Sequence, residues 1–316
     1  MSSGPTLETI RDAHQRIAPY IHRTPVFTSQ SLDEFAGARL FFKCENLQKT
    51  GSFKMRGAAN AVFSLSDAEA RRGVVTHSSG NHAAALARAA TLRGIPAWIV
   101  MPSNAPELKK KAVEDYGGRI TLCQPTLAAR EAAAQKLIAE TGAVLLHPYD
   151  DDRIIAGQAT AALELVEDVA DLDFLLAPVS GGGLLSGTAI AAKTLRPAIR
   201  VVGCEPANSD DALRSLRAGS IQPAANAVTM ADGLRATLCE RTLTILRERV
   251  DEIVLVSEQE IVATMRLLWE RLKLVVEPSG AVPASPALHR QMAISGKRVG
   301  VILSGGNLDL GKLPFR

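Results

Sequence analysis

Short apolar runs alternate with longer segments of helical periodicity along most of the chain. Two groups of runs are rich in Val, Ile and Leu and are predicted strands. The first group is residues 74–77, 97–102, 119–123 and 144–148, and the second is residues 174–180, 200–206, 253–257 and 298–304. Because strands that alternate with helices form parallel sheets, the pattern predicts an α/β protein with two open twisted sheets flanked by helices.

The two groups of strands divide the chain into two predicted domains. Residues 73–149 form the smaller domain, and residues 1–72 and 150–316 form the larger one. In open α/β sheets, ligands bind beyond the carboxyl ends of the strands, where helix N-termini offer unpaired amides. We therefore expect the functional residues to follow the predicted strands directly.

Composition and charge narrow the class of protein. The 316 residues are 47% hydrophobic and 22% charged, which is typical of soluble globular proteins. The 36 basic and 33 acidic residues give a net charge of +3 without a long block of like charge. Nucleic acid and anionic membranes are therefore not expected partners. The short basic run at residues 109–111 is interpreted as a solvated helix face.

Location and redox state follow from what the sequence contains. No apolar run reaches the roughly 18 residues of a membrane-spanning helix, and the N-terminal stretch lacks the apolar core of a signal peptide. A cytoplasmic location is therefore expected. The four cysteines are far apart and form no CxxC motif, so we interpret them as reduced, mostly buried side chains.

A glycine-rich turn follows the predicted strand at residues 174–180. The sequence Ser180-Gly181-Gly182-Gly183-Leu184 precedes a helix of small residues, and backbone amides in such a turn can converge on a phosphate. The turn lacks the GK[ST] and GxGxxG signatures of nucleotide-binding loops. It therefore indicates either a compact phosphorylated cofactor or a tight turn that only lets the helix pack on the strand.

One lysine lies among small and apolar neighbours. Lys54, in GSFKMRGAAN, is followed by Gly57 and two alanines, which offer little to solvate an ammonium group. Desolvation lowers the pKa of a lysine, and a lysine with a lowered pKa can form a Schiff base with an aldehyde and act as a base. The sequence therefore favours a chemical function for Lys54 over an ordinary surface position.

Six motifs, taken in order, resemble those of a known enzyme family. They are CENLQKTGSFKMRGAANA, THSSGNHAAALA, PVSGGGLLSG, ADGLR, EPSGAV and SGGN. The set is similar to the β-family (fold type II) of pyridoxal-phosphate enzymes, within the serine/threonine dehydratase and serine racemase group, with 3-hydroxyaspartate dehydratase as a close relative. The resemblance covers nearly the whole chain. It implies a tryptophan synthase β-subunit-like fold, pyridoxal 5'-phosphate between the larger and smaller domains, and a homodimer.

The resemblance implies roles for the matching positions. Lys54 would bind the cofactor and then move the Cα proton, and Ser79 would supply the second proton site that a racemase needs. The implied cofactor-binding residues are Phe53, Lys54, Asn81, Gly181, Gly182, Gly183, Leu184, Gly233, Glu277 and Ser304. The implied substrate-binding residues are Ser78, Ser79, Gly80, Asn81, His82 and Arg130.

Two of these positions bear on the reaction. A hydroxyl at Ser304, where it would meet the pyridine nitrogen, does not force ring protonation as a carboxylate would. The resemblance therefore implies β-elimination or racemisation rather than transamination. Glu277 resembles a glutamate near the cofactor in dehydratases, and the alternative is that its carboxylate caps the helix that follows. Ser180 replaces the first of four glycines that the family usually has.

The stretch GCEPANSDDA suggests a divalent cation. Glu205, Asp211 and the backbone oxygen of Ser209 match the cation site of racemase-like members, and oxygen ligands suit Mg²⁺ or Ca²⁺. The alternative is that Asp210 and Asp211 cap the following helix. Such a cation would order the loop without taking part in the chemistry.

Arg130 bears on the substrate. Racemase-like and hydroxyaspartate-eliminating relatives carry arginine at this place, where a guanidinium could pair with a second carboxylate. An exposed helix arginine is the alternative. Animal racemase-like members have asparagine where this chain has Tyr149, so the resemblance does not define this wall of the pocket.

The sequence as a whole predicts an ammonia-lyase that dehydrates a small amino acid. L-Serine or L-threonine is the first choice of substrate, with serine racemisation as a side activity, and 3-hydroxyaspartate is the alternative. A β-replacement enzyme such as cysteine synthase fits less well. A binding protein without catalysis is disfavoured because both Lys54 and Ser79 are present.

Overall fold

The computed structural model describes residues 4–224 and 228–315. Its strands are β1 (Val26–Phe27), β2 (Arg39–Cys44), β3 (Val74–His77), β4 (Ala97–Pro102), β5 (Arg119–Cys123), β6 (Val144–Leu145), β7 (Phe174–Pro178), β8 (Arg200–Pro206), β9 (Glu252–Val256) and β10 (Arg298–Leu303). They form a larger sheet with the order β1-β2-β10-β7-β8-β9 and a smaller sheet with the order β5-β4-β3-β6. All neighbouring strands are parallel except β1 and β2.

Helices cover both sheets. They are α1 (Leu7–Ile17), α2 (Gln30–Ala36), α3 (Lys54–Phe63), α4 (Asp67–Arg72), α5 (Asn81–Arg93), α6 (Glu107–Asp115), α7 (Leu127–Thr141), α8 (Asp152–Asp168), α9 (Gly183–Leu195), α10 (Asp211–Ala218), α11 (Glu240–Arg249), α12 (Glu258–Leu272), α13 (Pro278–Ala281) and α14 (Ser285–Leu288). The predicted fold class, two open sheets flanked by helices, is confirmed. Within the described residues, no helix is both long and apolar enough to cross a membrane.

Small residues bring the central helices into close contact. A Cβ atom at Gly187 of α9 would collide with the backbone of Ile155 on α8, and one at Gly157 of α8 would collide with the backbone of Arg56 on α3. Because only glycine fits at these contacts, the three helices stack tightly beside the larger sheet. This packing fixes the start of α3, where Lys54 lies.

The smaller sheet contains only residues between 74 and 145. Helix α3, which precedes the predicted domain boundary at residue 73, packs Met55 and Val62 in one apolar cluster with Val74 and Leu86. Helix α3 therefore packs against the smaller sheet as well as against α8 beside the larger sheet. The domain boundaries themselves stay predictions.

Candidate active site

A cavity of about 770 Å³ opens where β3, β7 and β10 end. The cavity is lined by every residue that the sequence proposed for cofactor or substrate: Phe53, Lys54, Ser78, Ser79, Gly80, Asn81, His82, Arg130, Gly181, Gly182, Gly183, Leu184, Gly233, Glu277 and Ser304. These residues come from widely separated parts of the chain, and the carboxyl ends of the parallel strands bring them together. The proposed cation ligands do not line this cavity.

Lys54 is the first residue of α3 and points its amine toward the smaller sheet. Its Nζ donates a hydrogen bond to Pro148 O at 3.0 Å and lies 5.1 Å from the centre of the Phe53 ring. Burial lowers the pKa of Lys54 to about 8. The neutral amine is therefore far more accessible near neutral pH than in an ordinary lysine.

A buried cluster of charges anchors α3 two residues after Lys54. Arg56 donates from Nε to Glu45 Oε2 at 2.7 Å and from Nη2 to Glu164 Oε2 at 2.8 Å. Lys43 lies 2.6 Å from the same Glu164 carboxylate, and all four side chains are fully buried. Two positive and two negative charges balance, so the cluster ties α3, β2 and α8 together without leaving an unpaired charge.

The glycine turn connects β7 to α9. Gly182 has a φ of +85°, and a Cβ at Gly181 or Gly183 would collide with the Tyr149 side chain. Helix α9 begins at Gly183, and the first amides of a helix have no partner within it. The turn therefore directs unpaired amides and the positive end of a helix dipole toward the cavity.

Ser180 occupies a position where the family usually has glycine, and it adopts a backbone conformation that is typical of glycine. Its φ is +53°, in the left-handed region that favours glycine. Its Oγ accepts a hydrogen bond from Ala236 N at 3.4 Å. The hydroxyl thus links the turn to the loop after Gly233.

Glu277 carries a carboxyl group into the cavity. Asn81 Nδ2 donates to Glu277 Oε1 at 2.8 Å. Burial, together with the nearby Asp232, raises the pKa of Glu277 to about 8. Glu277 precedes α13 but makes no capping hydrogen bond with its side chain, so the capping alternative is wrong.

Ser304 and Gly233 both form hydrogen bonds with one residue, Ser279. The Ser304 hydroxyl donates to Ser279 O at 3.5 Å, and Gly233 N donates to Ser279 Oγ at 3.0 Å. Ser279 was not singled out in the sequence, although it lies inside the EPSGAV motif. It holds the loop of Gly233 against the end of β10.

The turn between β3 and α5 forms the smaller-sheet wall. Ser78, Ser79 and Gly80 precede α5, whose N-terminal amides face the cavity side of the turn. His82 lies behind the turn, with Nε2 3.3 Å from Leu146 O. Burial and the nearby Lys54 lower the pKa of His82 to about 3, so the ring is neutral and supports the turn.

Several cavity residues were not found from the sequence. His77 and His147 line the cavity and pack ring edge to ring face, with centroids 5.7 Å apart. Burial is the main cause that lowers the pKa of His147 to about 4, and the neighbouring His77 lowers it further. His147 Nδ1 accepts a hydrogen bond from Asp150 N at 2.9 Å. Both histidines lie at or just beyond strand ends, which is the signal that would have found them.

The expectation of a fully solvated basic run was wrong for Lys109. Its amine pairs with the carboxylate of Asp232, and both residues line the cavity. Because Lys109 belongs to α6 and Asp232 lies beside Gly233, this ion pair joins the smaller-sheet wall to the larger-sheet wall. Helical periodicity identified the helix but not what its exposed face would meet.

Arg130 lies in the first turn of α7 and lines the cavity next to Glu131. It is half-buried, and its Nε donates only to Thr126 O of its own helix, at 3.4 Å. In the part of the chain that the structure describes, no carboxylate lies within 4 Å of its guanidinium. Arg130 therefore places a positive charge at the cavity wall without an ion-pair partner among the described residues.

The proposed cation ligands lie at the end of β8. Glu205 and Asp211 are both buried, and burial raises their pKa values to about 8 and about 6. The Glu205 carboxylate accepts from Ala212 N and Leu213 N, each at 3.1 Å, and so caps α10. One oxygen of Asp211, Oδ2, is buried without a hydrogen-bond partner.

The capping alternative is wrong for Asp210, which forms no side-chain cap and pairs with Arg214 at 2.8 Å. Across residues 4–224 and 228–315, no three His, Cys, Asp or Glu side chains converge on one point. A site here would therefore rest on two carboxylates and a backbone oxygen. Buried carboxylates with raised pKa values and an unpartnered oxygen fit such a cation.

Residues 17–305 match the family of pyridoxal-phosphate dependent enzymes, and the chain belongs to that family. It is 52% identical over 311 residues to the β-hydroxyaspartate dehydratase of Paracoccus denitrificans, covering 98% of this chain and 99% of the relative. It is 51% identical to the serine racemase of Arabidopsis thaliana, covering 96% and 94%. The structure of maize serine racemase superposes with a TM-score of 0.95 at 48% identity, covering 98% and 95%. The resemblance to fold type II enzymes of this group is confirmed.

Proposed function

We propose that the protein is an ammonia-lyase that dehydrates a small β-hydroxy amino acid, and that 3-hydroxyaspartate is preferred over L-serine and L-threonine. The observation that carries this choice is the Arg130 guanidinium in the cavity wall, which forms no ion pair with the described residues. A guanidinium pairs well with a carboxylate, and hydroxyaspartate has a second carboxylate that serine and threonine lack. The placement of Arg130 is our reason for proposing 3-hydroxyaspartate ahead of serine and threonine, the reverse of the order expected from the sequence.

The residues present fit pyridoxal 5'-phosphate. One cavity holds a primary amine with a lowered pKa, a glycine turn at a helix N-terminus and a serine hydroxyl at a strand end. We propose that Lys54 binds the aldehyde, that the amides of residues 181–184 bind the phosphate, and that Ser304 faces the ring nitrogen. When bound, the cofactor supplies an aldehyde for the substrate amine and a conjugated ring that accepts electron density from Cα.

The chain's own groups then divide the work. The turn at residues 78–81, at the start of α5, binds the α-carboxylate through amides and the helix dipole. Lys54, freed by the substrate amine, takes the Cα proton, and the β-hydroxyl leaves with a proton as water. Hydrolysis of the unsaturated product returns one water and releases ammonia. The net reaction converts 3-hydroxyaspartate to oxaloacetate and ammonia.

Serine racemisation is proposed as a side activity. Ser79 lines the same cavity as Lys54, so a hydroxyl is present in addition to the amine to hold or deliver a proton at Cα. The relatives named serine racemase, at about half sequence identity, support this proposal.

We further propose that Glu205, Asp211 and the Ser209 backbone oxygen bind Mg²⁺ or Ca²⁺. Their buried carboxylates, with raised pKa values, support the assignment. The cation would stabilise the loop after β8, outside the cavity. A homodimer and a cytoplasmic location stay predictions.

The substrate is tested by the release of 2-oxo acid from a panel. The panel contains L-serine, L-threonine, D-serine and the separate 3-hydroxyaspartate isomers, and kcat/KM is compared across them. One hydroxyaspartate isomer is expected to exceed serine by at least about tenfold, because a charge-assisted pair with Arg130 is added. If serine or threonine leads, the order of substrates proposed here is wrong and the order predicted from the sequence stands.

A further inference from the structure

The side chain of Asn307 contacts two segments that border the cavity. Its Nδ2 lies 2.7 Å from Thr50 O and 3.0 Å from Asn81 Oδ1. Asn81 Nδ2 in turn lies 2.8 Å from Glu277 Oε1. A continuous line of hydrogen bonds therefore runs from a main-chain carbonyl near Lys54 to the buried carboxyl group of Glu277.

The carbonyl at Thr50 fixes the direction of this line. A carbonyl oxygen only accepts, so the Asn307 atom that faces it must be the amide nitrogen, which has two hydrogens to donate. Because the same nitrogen faces Asn81, the Asn81 atom on that side must be its oxygen. The nitrogen of Asn81 then has to face Glu277. The orientation of both amides follows from one acceptor that cannot change its role.

The surrounding backbone leaves room for both ends of the line. A Cβ atom at Gly51 would collide with the Asn307 amide, and a Cβ atom at Gly305 would collide with the Glu277 carboxyl group. Gly51 also has a φ of +72°, in the left-handed region. Glycine at these two positions, in separate motifs, therefore leaves the space that the Asn307 amide and the Glu277 carboxyl group occupy.

We propose that Asn307 is a positioning residue, which holds the Asn81 amide with its nitrogen toward Glu277 and one N–H free for an acceptor in the cavity. The inference rests on the proposed function and on a contact between Asn81 and the cofactor, which the family resemblance implies. Without Asn307, the Asn81 amide can rotate and present its oxygen to the Glu277 carboxyl, which favours the protonated carboxyl group. Besides burial, Asp232 raises the pKa of Glu277 and Lys109 lowers it, and both remain in place when residue 307 is changed. Asn307 would therefore add its own control over a cofactor contact and over the protonation of Glu277.

The test uses Asn307→Asp and Asn307→Leu. Asn307→Asp keeps the shape but places acceptor oxygens against Thr50 O and Asn81 Oδ1, and Asn307→Leu removes the donor without adding charge. Pyridoxal 5'-phosphate is titrated into each cofactor-free protein, and the absorbance of the bound cofactor is followed across pH. Asn307→Asp should weaken cofactor affinity by about fivefold or more and shift the pH midpoint of the absorbance upward, with a smaller change in the same direction for Asn307→Leu.

Two further variants make the outcome decisive. Gln291→Glu makes the same amide-to-acid change at an exposed side chain that donates to Glu260 Oε1 at 2.8 Å, and it should leave affinity and absorbance unchanged. Asn81→Ala tests the underlying contact. If Asn81→Ala weakens affinity while both Asn307 variants match the wild type, the positioning role is overturned and the Asn81 contact stands.

If Asn81→Ala also leaves affinity unchanged, the proposed contact and the positioning role fall together. Thermal unfolding of the cofactor-free variants distinguishes a positioning role of Asn307 from a merely structural one. A lower melting temperature with an unchanged pH dependence of the absorbance would overturn the proposal, because misplacement of Asn81 must alter the environment of the bound cofactor.

Discussion

The two walls of the cavity are built differently. The larger-sheet wall carries Lys54, which is followed at once by the fully buried Arg56 cluster, and the glycine turn that packs against Tyr149. The smaller-sheet wall carries Arg130, whose guanidinium donates to Thr126 O and forms no ion pair within the described part of the chain, and Gly80, where an added Cβ would meet open space. Buried ion pairs hold Lys54 in its wall, and nothing comparable holds Arg130 in the other.

The difference separates two tasks of the enzyme. Proton transfer at Cα requires a base held in one geometry, and a cluster of paired, buried charges provides that rigidity. Recognition of a substrate carboxylate needs charge in a cavity that the substrate can enter. The ion pair between Lys109 and Asp232 joins the walls, so the smaller-sheet side is tied to the larger at the cavity rim.

The largest effect is expected from Lys54→Ala. Loss of the amine removes both the proposed aldehyde-binding group and the proposed base, so kcat/KM should fall by about a thousandfold or more. The absorbance of the bound cofactor should change at the same time. Lys193→Ala, at a surface lysine that pairs with Asp251, serves as the control and should retain activity. Substantial elimination by Lys54→Ala would remove Lys54 from its proposed role.

Arg56→Met removes the central cation of the buried cluster that anchors α3. It leaves Glu45 and part of the Glu164 charge unpaired in a fully buried cluster, so the free energy of unfolding should fall by about 3–5 kcal/mol. Urea unfolding measures the change. Arg200→Met, at an exposed pair with Glu252, should cost under about 1 kcal/mol. Equal losses for the two variants would erase the contrast between buried anchoring and surface pairing.

Much of this architecture could be predicted from the sequence, and the exceptions have physical causes. The parallel strands were predicted because apolar runs and helical segments alternate, yet β2 was missed. Lys43 interrupts the apolar run of β2, and Glu45 follows it. Only the fold shows that Glu164 pairs with Lys43 and that Arg56 pairs with Glu45.

The candidate site was predictable where residues follow strands or recur in motifs. Its remaining parts depend on contacts between distant segments. Lys109 gave no signal because its partner Asp232 lies more than a hundred residues away, and Asn307 gave none because its role depends on the direction of an amide. The three cation ligands were predicted from the resemblance alone and stay a proposal.

Ser79→Ala tests the smaller-sheet wall as a proton site. Racemisation of L-serine to D-serine should fall by about a hundredfold, because the second proton site is lost, while elimination should change much less. Chiral analysis of serine and release of 2-oxo acid are measured on the same samples. Equal losses in both reactions would indicate that Ser79 contributes to substrate binding instead.

The smallest effect concerns the loop after β8. Because the pKa values of Glu205 and Asp211 are raised in the folded protein, the folded state binds protons more readily than the unfolded chain. Without a cation, the folded protein is therefore expected to lose stability as pH rises above about 4, where both carboxyl groups ionise in the unfolded chain. The loss is complete above about pH 6 for Asp211 and above about pH 8 for Glu205. Added Mg²⁺ should raise the melting temperature by a few degrees at about pH 8.5 and hardly at all at about pH 5.

Glu205→Gln and Asp211→Asn are the matching variants. Each should abolish the Mg²⁺ effect and flatten the loss of stability at higher pH. A melting temperature that Mg²⁺ leaves unchanged in the wild type at both pH values would contradict the cation proposal. Ca²⁺ in place of Mg²⁺ identifies which ion the loop prefers.

The central claim is that Arg130 recognises a second carboxylate. The most direct measurement is the ratio of kcat/KM for the preferred 3-hydroxyaspartate isomer to kcat/KM for L-serine, in the wild type and in Arg130→Ala. The ratio is expected to fall by about tenfold to a hundredfold in the variant, with activity on serine nearly unchanged. A ratio that stays the same would contradict the claim and leave Arg130 as a charge on the cavity wall without a part in substrate choice.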